Sequence, residues 1–210
     1  MLLWINGPFG GGKTQTAHEI QRRLPGSVIC DPEHAGFGLR RTLPPELRAD
    51  FQDLTSWRQG VVEVLDLALS KHDGVVIAPM TVTNSDYFAE TVGRLGELGH
   101  DVRHFSLLAQ RETVLKRLRE RGFGHLLQRV AGKNAGLRRE SWAVRQLDHC
   151  LERLREPEFA EHLWTDDTTV PKTADRIAVL AGLRLRPNNE GALRTRLRQA
   201  GVGIRHIRFD

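Results

Sequence analysis

Residues 2–14 read LLWINGPFGGGKT, and no other stretch of this 210-residue chain limits its fold so tightly. Four apolar residues closed by Asn6 have the make-up of a short strand buried on both faces. The next eight residues fit the pattern G-x-x-x-x-G-K-S/T, opening on Gly7 and closing on Gly12, Lys13 and Thr14. Over residues 14–24, Ala17, Ile20 and Leu24 recur at helical spacing, and Pro25-Gly26 ends the run. A glycine-rich turn between strand and helix lets backbone N–H groups point inward with no Cβ in the way. The helix N-terminus adds partial positive charge. The stretch therefore predicts a cradle for a nucleoside triphosphate, built from Gly7, Phe9, Gly10, Gly11, Gly12, Lys13, Thr14 and Gln15. In it the Lys13 ammonium reaches the β- and γ-phosphates and the Thr14 hydroxyl ligates Mg²⁺. A plain glycine turn is the alternative.

The alternation continues. SVICD (27–31) predicts a second strand ending in a carboxylate, and a helical region follows it through Leu43, closed by Pro44-Pro45. Residues 54–71 carry Val61, Val62, Leu65 and Leu69 on a helical stripe, and VVIAPM (75–80) is an unbroken apolar run. A helix over 86–98, a strand VRHFSLLA and a basic helix over 112–121 come next. Residues 122–140 are rich in Gly, Arg and Lys with weak periodicity; with the end of the basic helix they predict a lid at about 117–140. Ser141 can cap a helix with the stripe Val144, Leu147, Leu151 and Leu154. HLWTDD and residues 174–181 supply a last strand and a last core helix. Strands alternating with helices predict an α/β fold with a parallel sheet. One domain over 1–183 and a basic tail over 184–210 are expected.

The third strand ends in Ala78-Pro79-Met80-Thr81, with no carboxylate to hold Mg²⁺. The acid is Asp31, at the end of the second strand, where parallel strand ends share a crevice with the phosphate loop. There it can take a proton from an attacking hydroxyl or hold a Mg²⁺-bound water. Pro32 also suits the first position of a helix, so Asp31 as an N-cap is the alternative, and the two roles do not exclude each other. Arg117 and Arg121, four residues apart, can close over phosphates, or form a solvated basic face. The stretch TDDTTVPK is where a purine would rest.

On the acceptor side, Glu33, Phe37 and Arg40 follow Asp31 at near-helical spacing, and Thr81 and Asn84 open onto the same crevice. Trp57, with Arg58, and Trp142 are candidates for stacking on a sugar or uracil ring, against the alternative of tryptophans in the core. The nine histidines have no metal-ligand spacing on a helix, so no zinc is expected.

The formal net charge of +5 is carried by residues 184–210, where seven arginines face Glu190 and Asp210. Leu193, Leu197, Ala200, Ile204 and Ile207 share one helical face there. Such a helix lies on an anionic bilayer or packs back on the core. The main body lacks a shared basic and aromatic face, so nucleic acid is not an expected partner. Cys30 and Cys150 have no CxxC spacing, the apolar start is too short for a signal peptide, and no window reaches transmembrane length. A cytoplasmic protein is expected.

LLWINGPFGGGKTQTAHEIQRRL, DPEHAGFGLR, PMTVTNSDYF, SWAVRQLDHC and the closing RHIRF together resemble the tunicamycin-resistance ATP-binding protein family over nearly the whole chain. The phosphate loop is generic; the segments after Asp31 and after Ser141 are the specific part. That family is similar to nucleoside-monophosphate kinases and to antibiotic kinases such as chloramphenicol phosphotransferase. The resemblance implies a five-stranded parallel sheet in the order 2-3-1-4-5 with a helical lid. It implies ATP and Mg²⁺ as cofactors and protection against a tunicamycin-like nucleoside antibiotic, with phosphorylation of the drug as the chemistry. In the related antibiotic kinase the base falls at the end of the second strand, here Asp31. The family also implies peripheral membrane attachment through the tail. Segment 122–140 is longer than the lid of the best-known members. Drug sequestration without catalysis, and a housekeeping nucleotide or sugar kinase, are the competing functions.

Overall fold

Leu2, Leu3, Trp4 and Ile5 are each 0 % exposed, because β1 (Leu2–Asn6) is the middle strand of a sheet covered on both faces. The computed structural model describes residues 1–120 and 147–189. β1 pairs with β3 (Val76–Pro79) on one side and β4 (Val102–Leu108) on the other, while β2 (Val28–Ile29) and β5 (His162–Trp164) form the edges. All pairings are parallel, and the order is β2-β3-β1-β4-β5, as the family resemblance implies. Trp4 lies in register with Ala78 and with His104.

The helices run in chain order as α1 (Lys13–Arg23), α2 (Pro32–Thr42), α3 (Thr55–Lys71), α4 (Ser85–Phe88), α5 (Arg94–Glu97), α6 (Arg111–Glu120) and α7 (Val170–Leu180). Residues 147–153 are also helical. Side chains alternate along a strand, so β1 feeds two cores. Leu2 and Trp4, with Val76, Ala78 and Met80, pack on Trp57, Val61 and Leu65 of α3. Leu3 and Ile5, with Ile77, Phe105 and Leu107, pack on Ala17 and Ile20 of α1 and Ala174 and Ile177 of α7. Burial on both faces is why these strands read as continuous apolar runs rather than alternating ones.

Three expectations are refined. The single helix expected over 86–98 is one helical run that widens into a π turn at Ala89–Gly93 between α4 and α5. Thr91 lies in that turn, and its hydroxyl donates to the Tyr87 carbonyl at 2.7 Å, a local competitor for the helical ladder. The second strand is shorter than SVICD because it is an edge with only β3 beside it. The chain does not leave the body at residue 184. Leu183 and Leu185 join the second core, the Arg186 N–H donates to the Arg23 carbonyl at 2.8 Å, and Arg22 donates to Asn188 Oδ1 at 2.8 Å.

The lid segment 122–140 and tail residues 190–210, with the bilayer contact expected of them, lie outside the described residues, as does the start of the helix expected after Ser141. Among the described residues no helix is long and apolar enough to cross a membrane.

Candidate active site

Asn6, 0 % exposed, closes β1 and organises the turn that follows. Its Oδ1 accepts the Gly7 N–H at 2.9 Å and the Val82 N–H at 3.1 Å, and its Nδ2 donates to the Val82 carbonyl at 2.8 Å. The Thr81 hydroxyl donates to the Gly7 carbonyl at 2.7 Å. The segment after β3 is thereby clamped to the entry of the glycine loop. At Gly7 a Cβ would stand 2.9 Å from the Leu107 carbonyl oxygen, so glycine lets β4 approach the loop.

Within the loop the Gly11 N–H donates to the Pro8 carbonyl at 2.9 Å, and Lys13, only 7 % exposed, bends back so that Nζ donates to the same carbonyl at 3.2 Å. Phe9 stands 44 % exposed, with Lys13 Nζ 5.6 Å from its ring centroid. Gly12 is the N-cap of α1 at φ +96°, without a side-chain cap, and the first turn carries no acidic residue. A helix mouth rich in N–H groups, uncapped and free of carboxylates beside a buried ammonium, fits a polyphosphate. Gln15 is buried in that turn and Thr14 is half-buried. Among the described residues no group of three or more His, Cys, Asp or Glu side chains could cage a metal. Mg²⁺, which keeps most of its waters and binds through phosphates and few protein oxygens, needs no such cage, and the Thr14 hydroxyl suits it.

Asp31 stands two residues beyond β2, with its side chain 4 % exposed. Oδ1 accepts the Glu33 N–H at 3.0 Å and so caps α2, while Oδ2 lies 3.9 Å from His34 Nε2. The N-cap reading of the sequence is therefore realised, and one carboxylate oxygen is left over from it.

Arg117 is turned toward the end of β5, where Nη1 donates to Thr165 Oγ1 at 3.0 Å and Nη2 to the Thr165 carbonyl. Its helix rests on the loop: a Cβ on Gly10 would lie 2.9 Å from Leu118 and 3.2 Å from Val114. The helical segment at 147–153 also reaches this region. Burial pushes the Cys150 thiol up to about 11, and the nearby Lys13 charge opposes the rise. Arg121 and Trp142 lie outside the described residues.

The acceptor side departs from expectation at three positions. Trp57 is 0 % exposed in the first core, and its Nε1 donates to the Pro32 carbonyl at 3.0 Å. A ring with no exposed face has nothing to stack on a sugar; it holds α2 to α3 instead. Phe37 and Phe51 meet edge to face at 5.5 Å, and Phe51 and Trp57 lie 5.3 Å apart, completing an aromatic seam. Arg58 is 8 % exposed and fully engaged, with Glu90 at 2.6 Å, the Gln52 carbonyl at 2.5 Å and the Tyr87 ring centroid at 4.3 Å. Thr81 spends its hydroxyl proton on Gly7. Glu33, Phe37 and Arg40 stay half-buried along α2, and Arg40 faces Asp50 closely enough for its charge to act on that carboxyl.

An AAA domain family model matches residues 2–128. The tunicamycin resistance protein of Deinococcus radiodurans superposes with a TM-score of 0.70 at 30% sequence identity, over 89% of this chain and 99% of that one. The chain belongs to the tunicamycin-resistance family of phosphate-loop, kinase-like proteins. This family member also shares its fold with more distant proteins. The APS kinase of Mycobacterium tuberculosis, solved with AMPPNP and APS, has a TM-score of 0.57 at 15% identity, over 86% of this chain and 96% of that one. A gluconokinase from Sinorhizobium meliloti has 0.52 at 14%, over 86% and 93%. None of the functionally curated proteins matches the chain in sequence. The tunicamycin-resistance member thus has a phosphate-loop kinase fold that carries a nucleotide-binding loop.

Sequence reasoning missed Asn6 and the tie between Thr165 and Arg117. A polar residue closing an apolar strand directly before the glycine loop was the available signal for Asn6. Thr165 opens the stretch TDDTTVPK, where a purine is expected, but nothing local marked its bond to Arg117, 48 residues away.

Proposed function

We propose that this protein transfers the γ-phosphoryl group of ATP to a hydroxyl of a tunicamycin-like nucleoside antibiotic and so confers resistance to it. The observation that carries this reading is the likeness, over 89% of the chain, to a tunicamycin resistance protein, in a fold with an uncapped phosphate loop. Lys13 and the N–H groups at the mouth of α1 hold the phosphates, and Thr14 is a ligand for Mg²⁺. Bound ATP supplies the phosphoryl group and a leaving ADP. Asp31 accepts the proton of the attacking hydroxyl at Oδ2, while the Glu33 N–H keeps Oδ1 in place. Lys13 neutralises charge as it moves toward the leaving group. Val114 and Leu118 of α6 pack against Gly10 of the loop.

The test is direct. The full chain is incubated with Mg·ATP and tunicamycin, and the drug is examined by mass spectrometry. A gain of one phosphate, lost in Asp31→Asn, is expected. Asparagine caps a helix as well as aspartate does, so this variant keeps α2 and removes only the proton acceptor. Unmodified drug together with unconsumed ATP overturns the proposal. Protection in cells that survives Asp31→Asn identifies a sequestering protein instead. Turnover of common sugars or nucleotides without drug identifies a housekeeping kinase.

A further inference from the structure

A second concavity opens at the same end of the sheet, and none of the roles above uses it as a whole. It has a volume of about 190 Å³ and is lined by Thr83, Asn84, Ser85, Asp86, His149 and Arg153. Its near wall is the chain immediately after Thr81 and Val82, the two residues tied to Gly7 and Asn6 at the loop entry. Its far wall is the helical segment at 147–153, whose Leu147 and Leu151 pack with Val114 and Leu118, the two side chains set against Gly10 of the loop. The cavity therefore adjoins the phosphate loop through both walls.

Arg153 joins the walls. Nε donates to the Thr83 carbonyl at 3.3 Å and Nη2 donates to Ser85 Oγ at 3.0 Å. The same nitrogen pairs with Glu158 at 2.9 Å, so its charge is already balanced. Asn84 turns its Oδ1 to the N–H groups of Asp86 and Tyr87 at 2.9 and 3.1 Å, which leaves Nδ2 as a donor. The Asp86 carboxylate and the His149 imidazole make no hydrogen bond to any described residue, and both are exposed to the cavity. Every lining residue is polar or charged, so the ligand is a hydrogen-bonding one rather than an apolar tail. With Arg153 balanced and Asp86 negative, a phosphate or sulfate meets repulsion. A neutral hydroxyl group meets a carboxylate acceptor, an amide donor and an imidazole. A volume of about 190 Å³ lies below the ~300 Å³ at which pockets for drug-sized molecules begin. The space therefore suits one ring, not a whole nucleoside antibiotic.

We propose that this cavity is the subsite for a single neutral ring of the phosphoryl acceptor that bears several hydroxyls, with Asp86, His149 and Asn84 as its contacts and Arg153 as the residue that fixes its shape. This rests on the reading of the protein as a kinase acting on a hydroxyl.

The experiment uses the full chain with labelled histidines, without nucleotide. N-acetylglucosamine, inorganic phosphate and cyclohexanol are titrated separately, and the His149 imidazole signals are followed by NMR, assigned with His149→Gln. A saturable shift with the sugar alone is expected, abolished in Asp86→Ala. No shift with the sugar, or an equal shift with phosphate or cyclohexanol, overturns the subsite. In turnover assays Asp86→Ala should raise the KM for tunicamycin about tenfold, the worth of one good hydrogen bond, and leave the KM for ATP unchanged. Drug phosphorylation with an unaltered drug KM in Asp86→Ala sinks the subsite and spares the kinase reading. Sugar binding without drug phosphorylation does the reverse.

Discussion

The hydroxyl of Thr81 donates to the carbonyl of Gly7 at 2.7 Å, across 74 residues of sequence, and makes the end of β3 part of the phosphate loop. Thr81→Val keeps the shape and removes the donor. A buried carbonyl left unpaired costs about 1–3 kcal/mol, so the urea midpoint should fall. Affinity for an ATP analogue, measured by calorimetry, should fall with it. Asn6→Ala removes three hydrogen bonds from the same joint and should be worse on both counts. Unchanged nucleotide affinity in both variants would refute the clamp.

Two glycines of the loop should respond differently to alanine. A Cβ on Gly12 meets nothing within 4 Å, so Gly12→Ala bears only the strain of φ +96°, about 1–2 kcal/mol. A Cβ on Gly7 adds a collision with the Leu107 carbonyl, which belongs to a paired strand and cannot yield cheaply. Thermal denaturation should rank wild type above Gly12→Ala above Gly7→Ala. The reverse order would show that packing against β4 is looser than 2.9 Å implies.

Trp57 serves as a test of core against acceptor contact. Trp57→Phe loses the bond from Nε1 to the Pro32 carbonyl and some packing volume. It should destabilise the fold by about 1–3 kcal/mol while the KM for acceptor stays at its wild-type value. A large rise in acceptor KM at unchanged stability would restore a stacking role.

His104 makes stability depend on acid. Its Nδ1 meets the Ala160 carbonyl at 2.9 Å and its Nε2 is turned out of solvent. Burial above all, with a smaller push from neighbouring His162, lowers its pKa from 6.5 to about 4, against the raising effect of the Ala160 bond. Between those values the unfolded chain binds the extra proton and the folded chain does not, so stability rises with pH and is lost on acidification. Lowering the pH from 7 to 5 should remove at most about 2 kcal/mol, read from urea midpoints. His104→Gln should flatten that slope; an unaltered slope would assign the acid sensitivity elsewhere.

The phosphate loop and the strand-helix alternation were legible in the sequence because each is written in contiguous residues. Strands buried on both faces must be apolar throughout, as LLWI and VVIAPM are. The loop holds its own donors and its own bends between Gly7 and Thr14, and its pattern survives without knowledge of the rest of the chain. Asp31 could be placed at a strand end and as an N-cap, since a cap is made two residues away, at the Glu33 N–H.

The uses of Trp57, Arg58, Thr81 and Arg117 were decided only by tertiary structure. A tryptophan on a helix, or an arginine near a lid, has the same local signature whether it touches ligand or core. Its hydrogen bond goes to whichever unpaired group the closed fold brings near. For Trp57 that group is a carbonyl 25 residues back, and for Arg117 a threonine 48 residues on. Burial makes such polar partners obligatory, but which partner is available depends on how β3, β5 and α3 settle around β1. The sequence determined by itself the glycine loop and the strand and helix on either side of it. The folded chain decided which side chains are spent in holding that place together.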